Sequence, residues 1–110
     1  MSKKIYVPVK QVREFIDDQP EMVRIEYLNI VDQLEKDGRL VEPYGKKLKE
    51  NLFEIRVRRG GNVRVFYFYF ENDLIFGVHA FVKKSQQTPQ QEIKKAEKTI
   101  SLIRMDGYHE

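Results

Sequence analysis

The spacing of apolar residues changes from a helical to a strand period near residue 52, and no other feature constrains the fold as much. Before this point, behind a candidate helix start at Asp18 and up to Gly38, apolar residues recur every three positions, and Ile30 widens the stripe that they form: Met22, Ile25, Leu28, Val31 and Leu34. After it, apolar and charged residues alternate over 53–58, which is typical of a half-buried strand. The sequence therefore predicts helices first and a sheet afterwards.

The predicted order of elements is strand, helix, helix, three strands, helix. A strand over 4–7 precedes a helix starting near Pro8, Arg39 to Asn51 is expected to be a loop, and strands follow from Leu52, over 63–70 and over 74–82. Thr88-Pro89 starts a last helix with the apolar seam Ile93, Ala96, Ile100 and Ile103. We expect an α+β fold in which two N-terminal helices pack on an antiparallel meander. Because 110 residues suffice for one core, we expect a single domain over 1–110.

Composition excludes several classes of protein. The chain has no cysteine, which excludes a disulfide scaffold or a thiolate metal site and fits a reducing cytoplasm. The longest apolar stretch, 74–82, has nine residues and is too short to span a membrane. With two histidines in the chain, we expect no metal, no small-molecule cofactor and a cytoplasmic location.

Positive charge is concentrated in one segment of the chain. The net charge is only +3, yet residues 46–64 hold seven basic side chains against Glu50 and Glu54: Lys46, Lys47, Lys49, Arg56, Arg58, Arg59 and Arg64. A local excess of this kind attracts polyanions such as RNA. The alternative is a solvated charged surface with no ligand.

A two-residue turn at Gly60-Gly61 would place Arg58 opposite Val63 and Arg56 opposite Val65. One face of the hairpin would then present Glu54, Arg56, Arg58, Tyr67 and Tyr69, and the core face would include Arg64. A two-residue turn at Asn72-Asp73 would put Lys84 on the basic face and His79 and Lys83 on the core face. One additional turn residue would reverse that placement.

A basic face with aromatic rings could bind and cleave an RNA strand. Arginine and lysine side chains bind phosphates, and a ring such as that of Tyr67 can stack on a base. Cleavage without a metal needs groups that move protons and stabilise a phosphorane. His79 is a candidate for proton transfer, although a histidine on an apolar strand is more often structural. His109 is close to the C-terminus and is more often frayed than catalytic.

Three segments resemble a known family: LKENLFEIR at 48–56, GGNVRVFY at 60–67 and HAFVKKSQQTP at 79–89. They are similar to motifs of the phage-derived, HigB-like branch of the RelE/ParE toxin superfamily. The resemblance implies a RelE-like fold and the toxin of a type II toxin–antitoxin system. It implies a ribosome-dependent mRNA endoribonuclease that needs no metal and is neutralised by a cognate helix-turn-helix antitoxin.

The resemblance also implies roles for individual residues. Of the catalytic candidates Arg56 and Arg58, one or the other would stabilise the phosphorane. Lys47, Lys49, Lys83 and Lys84 would clamp the RNA and shuttle protons. His79 is a further catalytic candidate, and we expect Lys46, Arg59, Arg64 and Tyr67 to bind RNA. The general base stays open. So do two other functions: a ParE-like gyrase inhibitor and a non-enzymatic RNA-binding module.

Overall fold

The computed structural model describes residues 3–86 and 89–107. Within them lie three helices and five strands, which confirms the α+β class. Their bounds in chain order are β1 Ile5–Pro8, α1 Lys10–Asp17, α2 Glu21–Asp37, β2 Gly45–Lys49, β3 Leu52–Val57, β4 Val63–Glu71, β5 Leu74–Val82 and α3 Gln90–Asp106. Thr88, the predicted cap of the last helix, lies outside the described residues, as do Tyr108 and His109.

The five strands form one mixed sheet in the order β1-β5-β4-β3-β2. Strands β2 to β5 make the expected antiparallel meander, but β1 adds to its edge in parallel with β5, so the prediction of a purely antiparallel sheet was wrong. Strand β2 lies in the segment predicted to be a loop. Its lysine-rich sequence carries no apolar alternation because it is an edge strand, where lysine discourages pairing with another chain.

Helix α2 buries a face that only partly overlaps the predicted stripe. Val23, Tyr27, Ile30 and Leu34 are buried, whereas Met22, Ile25 and Leu28 are each more than half exposed. Residues spaced by three step back by about 60° around a helix, so a strict three-residue repeat spirals away from any one face. The 4-3-4 spacing from Val23 to Leu34 stays on one side. The outer side of α2 keeps a second, exposed apolar stripe.

The helices cover both faces of the sheet. We call the side packed against α1 and α2 the α2 face and the opposite side the α3 face. On the α2 face, the Tyr27 hydroxyl donates to the Tyr6 hydroxyl at 2.8 Å, and Tyr6 lies so close to Gly77 that a Cβ there would collide with it. On the α3 face, Arg104 lies over the Phe68 ring.

Helix α3 confirms its predicted seam, since Ala96, Ile100 and Ile103 are buried. It runs from His79 on β5, which contacts Glu92, towards Phe68 near the far end of β4. The end of the sheet that carries Arg56 and Arg64 therefore lies beyond the start of α3. No helix in the described part of the chain has the length and apolarity to cross a membrane.

Candidate nucleic-acid interface

The β3–β4 hairpin has a register one residue away from the predicted one. The last pair before the turn is Val57 with Val63, so the turn contains the five residues 58–62 instead of two. Arg56 therefore pairs with Arg64, and Glu54 pairs with Phe66. Because side chains alternate along a strand, this slip moves every β4 side chain to the other face. Arg64 joins Arg56 on the α3 face, which corrects its assignment to the core face.

Helix α2 shapes that turn. The Glu26 carboxylate accepts hydrogen bonds from the backbone N–H groups of Arg58 at 2.9 Å and Arg59 at 2.7 Å. Gly60 has a φ of 78° and lies against Val23, where a Cβ would be tightly crowded. These contacts join residues more than thirty positions apart, so the hairpin sequence by itself could not reveal them.

The same register moves Tyr67 away from the basic residues. Its ring stacks on Phe53 with centroids 5.5 Å apart, on the α2 face, and its side chain is buried. Burial raises the pKa of the Tyr67 hydroxyl well above its ordinary value. The expectation that Tyr67 stacks on an RNA base was therefore wrong, because the ring belongs to the core.

Four cations surround one carboxylate on the α3 face, and we call this group the basic cluster. Arg56 Nε donates to Glu54 Oε1 at 2.9 Å, and Arg64 Nε lies 3.9 Å from Glu54 Oε2. Lys46 is paired opposite Glu54 on β2, and Lys83 follows the end of β5 on the same face. Four positive charges around one negative charge leave a formal excess of three.

Glu54 is the centre of this arrangement, and sequence reasoning missed its role. Its side chain is 0% exposed, and neither its Oε2 nor Arg64 Nε has a hydrogen-bond partner among the described residues. Burying a carboxylate is costly unless cations surround it. The available signal was the spacing of Glu54 and Arg56, since residues two apart on a strand share a face.

The surroundings of Lys83 in the basic cluster lower the pKa of its ammonium group. Burial is the first cause of its lowered pKa; the charges of Arg64, Arg56 and Lys46 lower it too, while Glu54 opposes them. Burial also lowers the pKa of Arg64, and Glu54 again opposes the change. The sequence left two faces of the sheet open for Lys83. In the structure Lys83 lies on the same face as Arg56 and Arg64.

His79 lies on the α3 face but is already engaged. Its Nε2 atom is 2.5 Å from Glu92 Oε1 of α3, and its ring packs near Phe81 and Phe66. The contact ties α3 to β5. This geometry favours the structural interpretation of His79.

The other predicted basic residues are dispersed around the cluster. Lys47 lies 3.8 Å from Glu50, and Lys49 binds Glu97 of α3 at 2.6 Å. Arg58 is exposed but close enough for its charge to lower the pKa of Arg64. Lys84 is exposed.

Arg59 is directed to a different part of the molecule. It lines a groove of about 750 Å³ between α2 and the 39–44 segment, with Met22, Ile25 and Val41. Among residues 3–86 and 89–107, no group of three or more histidine or acidic residues is arranged to hold a metal ion.

The chemistry of the basic cluster is that of an anion site. Arg56 keeps 19% of its side chain exposed, so its guanidinium can reach a phosphate in solution. A lysine with a lowered pKa next to arginines can exchange a proton with a bound substrate more readily than a free lysine can.

Comparison with known proteins identifies the family of the chain. Residues 14–101 match the model of a family described as "Phage derived protein Gp49-like (DUF891)", and no curated protein matches the chain. The matched range includes every residue of the basic cluster. Members of this family are associated with the toxins of toxin–antitoxin systems, which have an antitoxin partner. The chain therefore belongs to the Gp49-like family of phage-derived proteins, which is a RelE/HigB-like toxin family.

Proposed function

We propose that this chain is the toxin of a type II toxin–antitoxin system and an endoribonuclease that cuts mRNA on the ribosome. The observation that carries this proposal is the basic cluster, in which β2, β3, β4 and the end of β5 each supply one cation to a single face. Three excess charges in one place are suited to the RNA backbone. The partner that silences the toxin is a cognate helix-turn-helix antitoxin.

The proposed reaction uses the RNA itself as the nucleophile. The 2′-hydroxyl gives up its proton and attacks the adjacent phosphorus. The P–O bond to the 5′-oxygen of the next nucleotide breaks and that oxygen takes up a proton, so the products are a 2′,3′-cyclic phosphate and a 5′-hydroxyl. The guanidinium of Arg56, with Arg64 behind it, stabilises the negative charge of the phosphorane. No metal is needed because these cations supply the positive charge.

We assign proton transfer to Lys83. Its lowered pKa brings the ammonium closer to the range in which a proton can be released and taken up again. His79 is a weaker candidate because Glu92 already occupies its Nε2 atom. The exposed basic residues outside the cluster and on its side of the molecule guide the RNA backbone: Arg58, Lys47, Lys49 and Lys84.

Expression in bacterial cells tests the proposal. The wild-type chain should arrest growth, and mapping of mRNA 5′ ends should show new cleavage sites that appear only when ribosomes translate the message. Arg56→Ala and Lys83→Ala should each lower cleavage by about a hundredfold or more, as loss of a group that stabilises the transition state does. Arg59→Ala is a matched control, because Arg59 lines the groove beside α2.

Other outcomes would identify the alternatives. Growth arrest with intact mRNA and induction of the DNA-damage response would indicate a gyrase inhibitor. RNA binding without arrest would indicate a non-enzymatic RNA-binding module. Unchanged arrest in both Arg56→Ala and Lys83→Ala would reject the basic cluster as the site.

A further inference from the structure

The Glu54 carboxylate lies inside the basic cluster but out of reach of a ligand. Its side chain has no exposed surface, and its Oε2 atom is buried without a hydrogen-bond partner among the described residues. An RNA strand bound at the sheet surface cannot contact this group. Any effect of Glu54 on a reaction must therefore pass through the cations that contact it.

The geometry of Arg56 shows what Glu54 controls. A guanidinium has two edges that can bind an oxyanion, one containing Nε and the other formed by the two terminal nitrogens. The Nε edge of Arg56 is occupied by Glu54 at 2.9 Å. On the terminal edge, the contact found among the described residues is longer: Arg56 Nη1 lies 3.9 Å from Oε1 of the exposed Glu42. The terminal edge is therefore the one directed towards a phosphate.

Arg64 is held differently. Its Nε atom faces Glu54 Oε2 at 3.9 Å, which is beyond hydrogen-bond distance, so charge alone holds the two groups together. The side chain of Arg64 is also less exposed than that of Arg56. Glu54 thus fixes the accessible arginine by a hydrogen bond and supports the buried one behind it.

We propose that Glu54 is a positioning residue that fixes the Arg56 guanidinium with its terminal edge presented to the scissile phosphate. This inference rests on the proposed endoribonuclease function. The competing explanation is that Glu54 only offsets repulsion among the cations. In that case cleavage would depend on the charge of residue 54 and not on the length of its side chain.

Two substitutions of Glu54 separate the effect of side-chain length from the effect of charge. Glu54→Gln removes the charge but keeps an oxygen at the position that accepts from Arg56 Nε. Glu54→Asp keeps the charge but shortens the side chain by one methylene. Positioning predicts that single-turnover cleavage on ribosomes falls about a hundredfold in Glu54→Asp, the cost of a displacement of about 1 Å, and clearly less in Glu54→Gln. Charge compensation predicts the reverse order.

Binding must be measured beside cleavage. RNA with a 2′-deoxy nucleotide at the cleavage position binds without reacting, and we expect its affinity for Glu54→Asp to stay within about threefold of wild type, because the count of phosphate contacts is unchanged. A merely structural role would instead lower binding, cleavage and thermal stability together. Cleavage by Glu54→Asp at the wild-type rate would overturn the proposal.

A measurement on the free protein does not depend on activity. NMR of arginine side chains should show the Arg56 Nε–H protected from solvent exchange in the wild type, with the exposed Arg59 Nε–H exchanging fast. Rapid exchange at Arg56 in the wild type would overturn the positioning role even if the substituted proteins failed to fold. If the wild type cleaves no RNA while Arg56 Nε–H is protected, the proposed function fails and the orientation of Arg56 by Glu54 stands.

Discussion

Asn62 and Lys83 are joined by two hydrogen bonds. The Lys83 backbone N–H donates to the Asn62 carbonyl at 2.8 Å, and the Asn62 side-chain amide donates to the Lys83 carbonyl at 3.1 Å. Strand β5 ends at Val82, so these bonds hold the first residue after the strand. The turn that brings Arg64 beside Arg56 therefore also positions Lys83.

Removing the Asn62 side chain should loosen Lys83 while leaving the fold intact. We expect Asn62→Ala to lower ribosome-dependent cleavage about tenfold or more, because small displacements of a reacting group are costly. The loss of one hydrogen bond should cost about 1 kcal/mol of unfolding free energy. Asn72→Ala, in the turn between β4 and β5, is the control and should leave cleavage unchanged. Equal effects of the two substitutions would contradict the positioning of Lys83 by Asn62.

Two leucines of α2 should differ sharply in their contribution to stability. Leu34 is 0% exposed and Leu28 is 61% exposed. We expect Leu34→Ala to lower the unfolding free energy by about 2–5 kcal/mol, through lost burial and the cavity left behind. Leu28→Ala should change it by no more than about 0.5 kcal/mol. Urea denaturation measures both changes. A large loss of unfolding free energy in Leu28→Ala would instead support burial of Leu28, as the sequence predicted.

Alkaline pH should destabilise the protein through its buried tyrosines. Burial raises the pKa of Tyr6, Tyr27 and Tyr67 above the ordinary value. In the unfolded chain tyrosines lose their protons from about pH 10, whereas the buried groups keep theirs to higher pH. The folded state then binds more protons, so this contribution to stability is complete below about pH 10 and falls as the pH rises above it.

The substitution Tyr27→Phe should make the unfolding free energy less steeply dependent on pH above about pH 10. Tyr44→Phe removes the hydroxyl of an exposed tyrosine and is the matched control. Urea denaturation across this pH range measures the slope. An identical slope in wild type and Tyr27→Phe would refute the contribution of Tyr27.

Substitutions at His79 and at its partner Glu92 distinguish a structural from a catalytic role of His79. We expect His79→Gln and Glu92→Gln each to lower the unfolding free energy by about 1 kcal/mol through the weakened contact between β5 and α3. Growth arrest should persist in both. If arrest is lost in His79→Gln but kept in Glu92→Gln, His79 has a catalytic role that its contact with Glu92 does not explain.

Part of the site could be predicted from sequence. Arg56 and Arg64 lie in neighbouring strands, and the Lys83-Lys84 pair follows the end of the last strand, as the sequence indicated. The identity of the carboxylate at the centre could not be predicted in the same way. A strand with alternating apolar and charged residues often contains a glutamate. Glu54 differs from such a residue only because the fold brings Arg64 and Lys83 next to it.

Local periodicity determined the type and order of most elements, since apolar spacing decides whether a segment can bury one side as a helix or as a strand. That is why α3 and the strands β3 to β5 follow the sequence closely. The register of the β3–β4 hairpin, the buried face of α2 and the pairing of β1 and β2 depend on contacts between distant residues. Glu26 fixes the hairpin turn from α2, and one residue of register decides whether Arg64 or Tyr67 joins Arg56. The sequence by itself determined that positive charge collects on this sheet, and only the tertiary structure decided which side chains share its face.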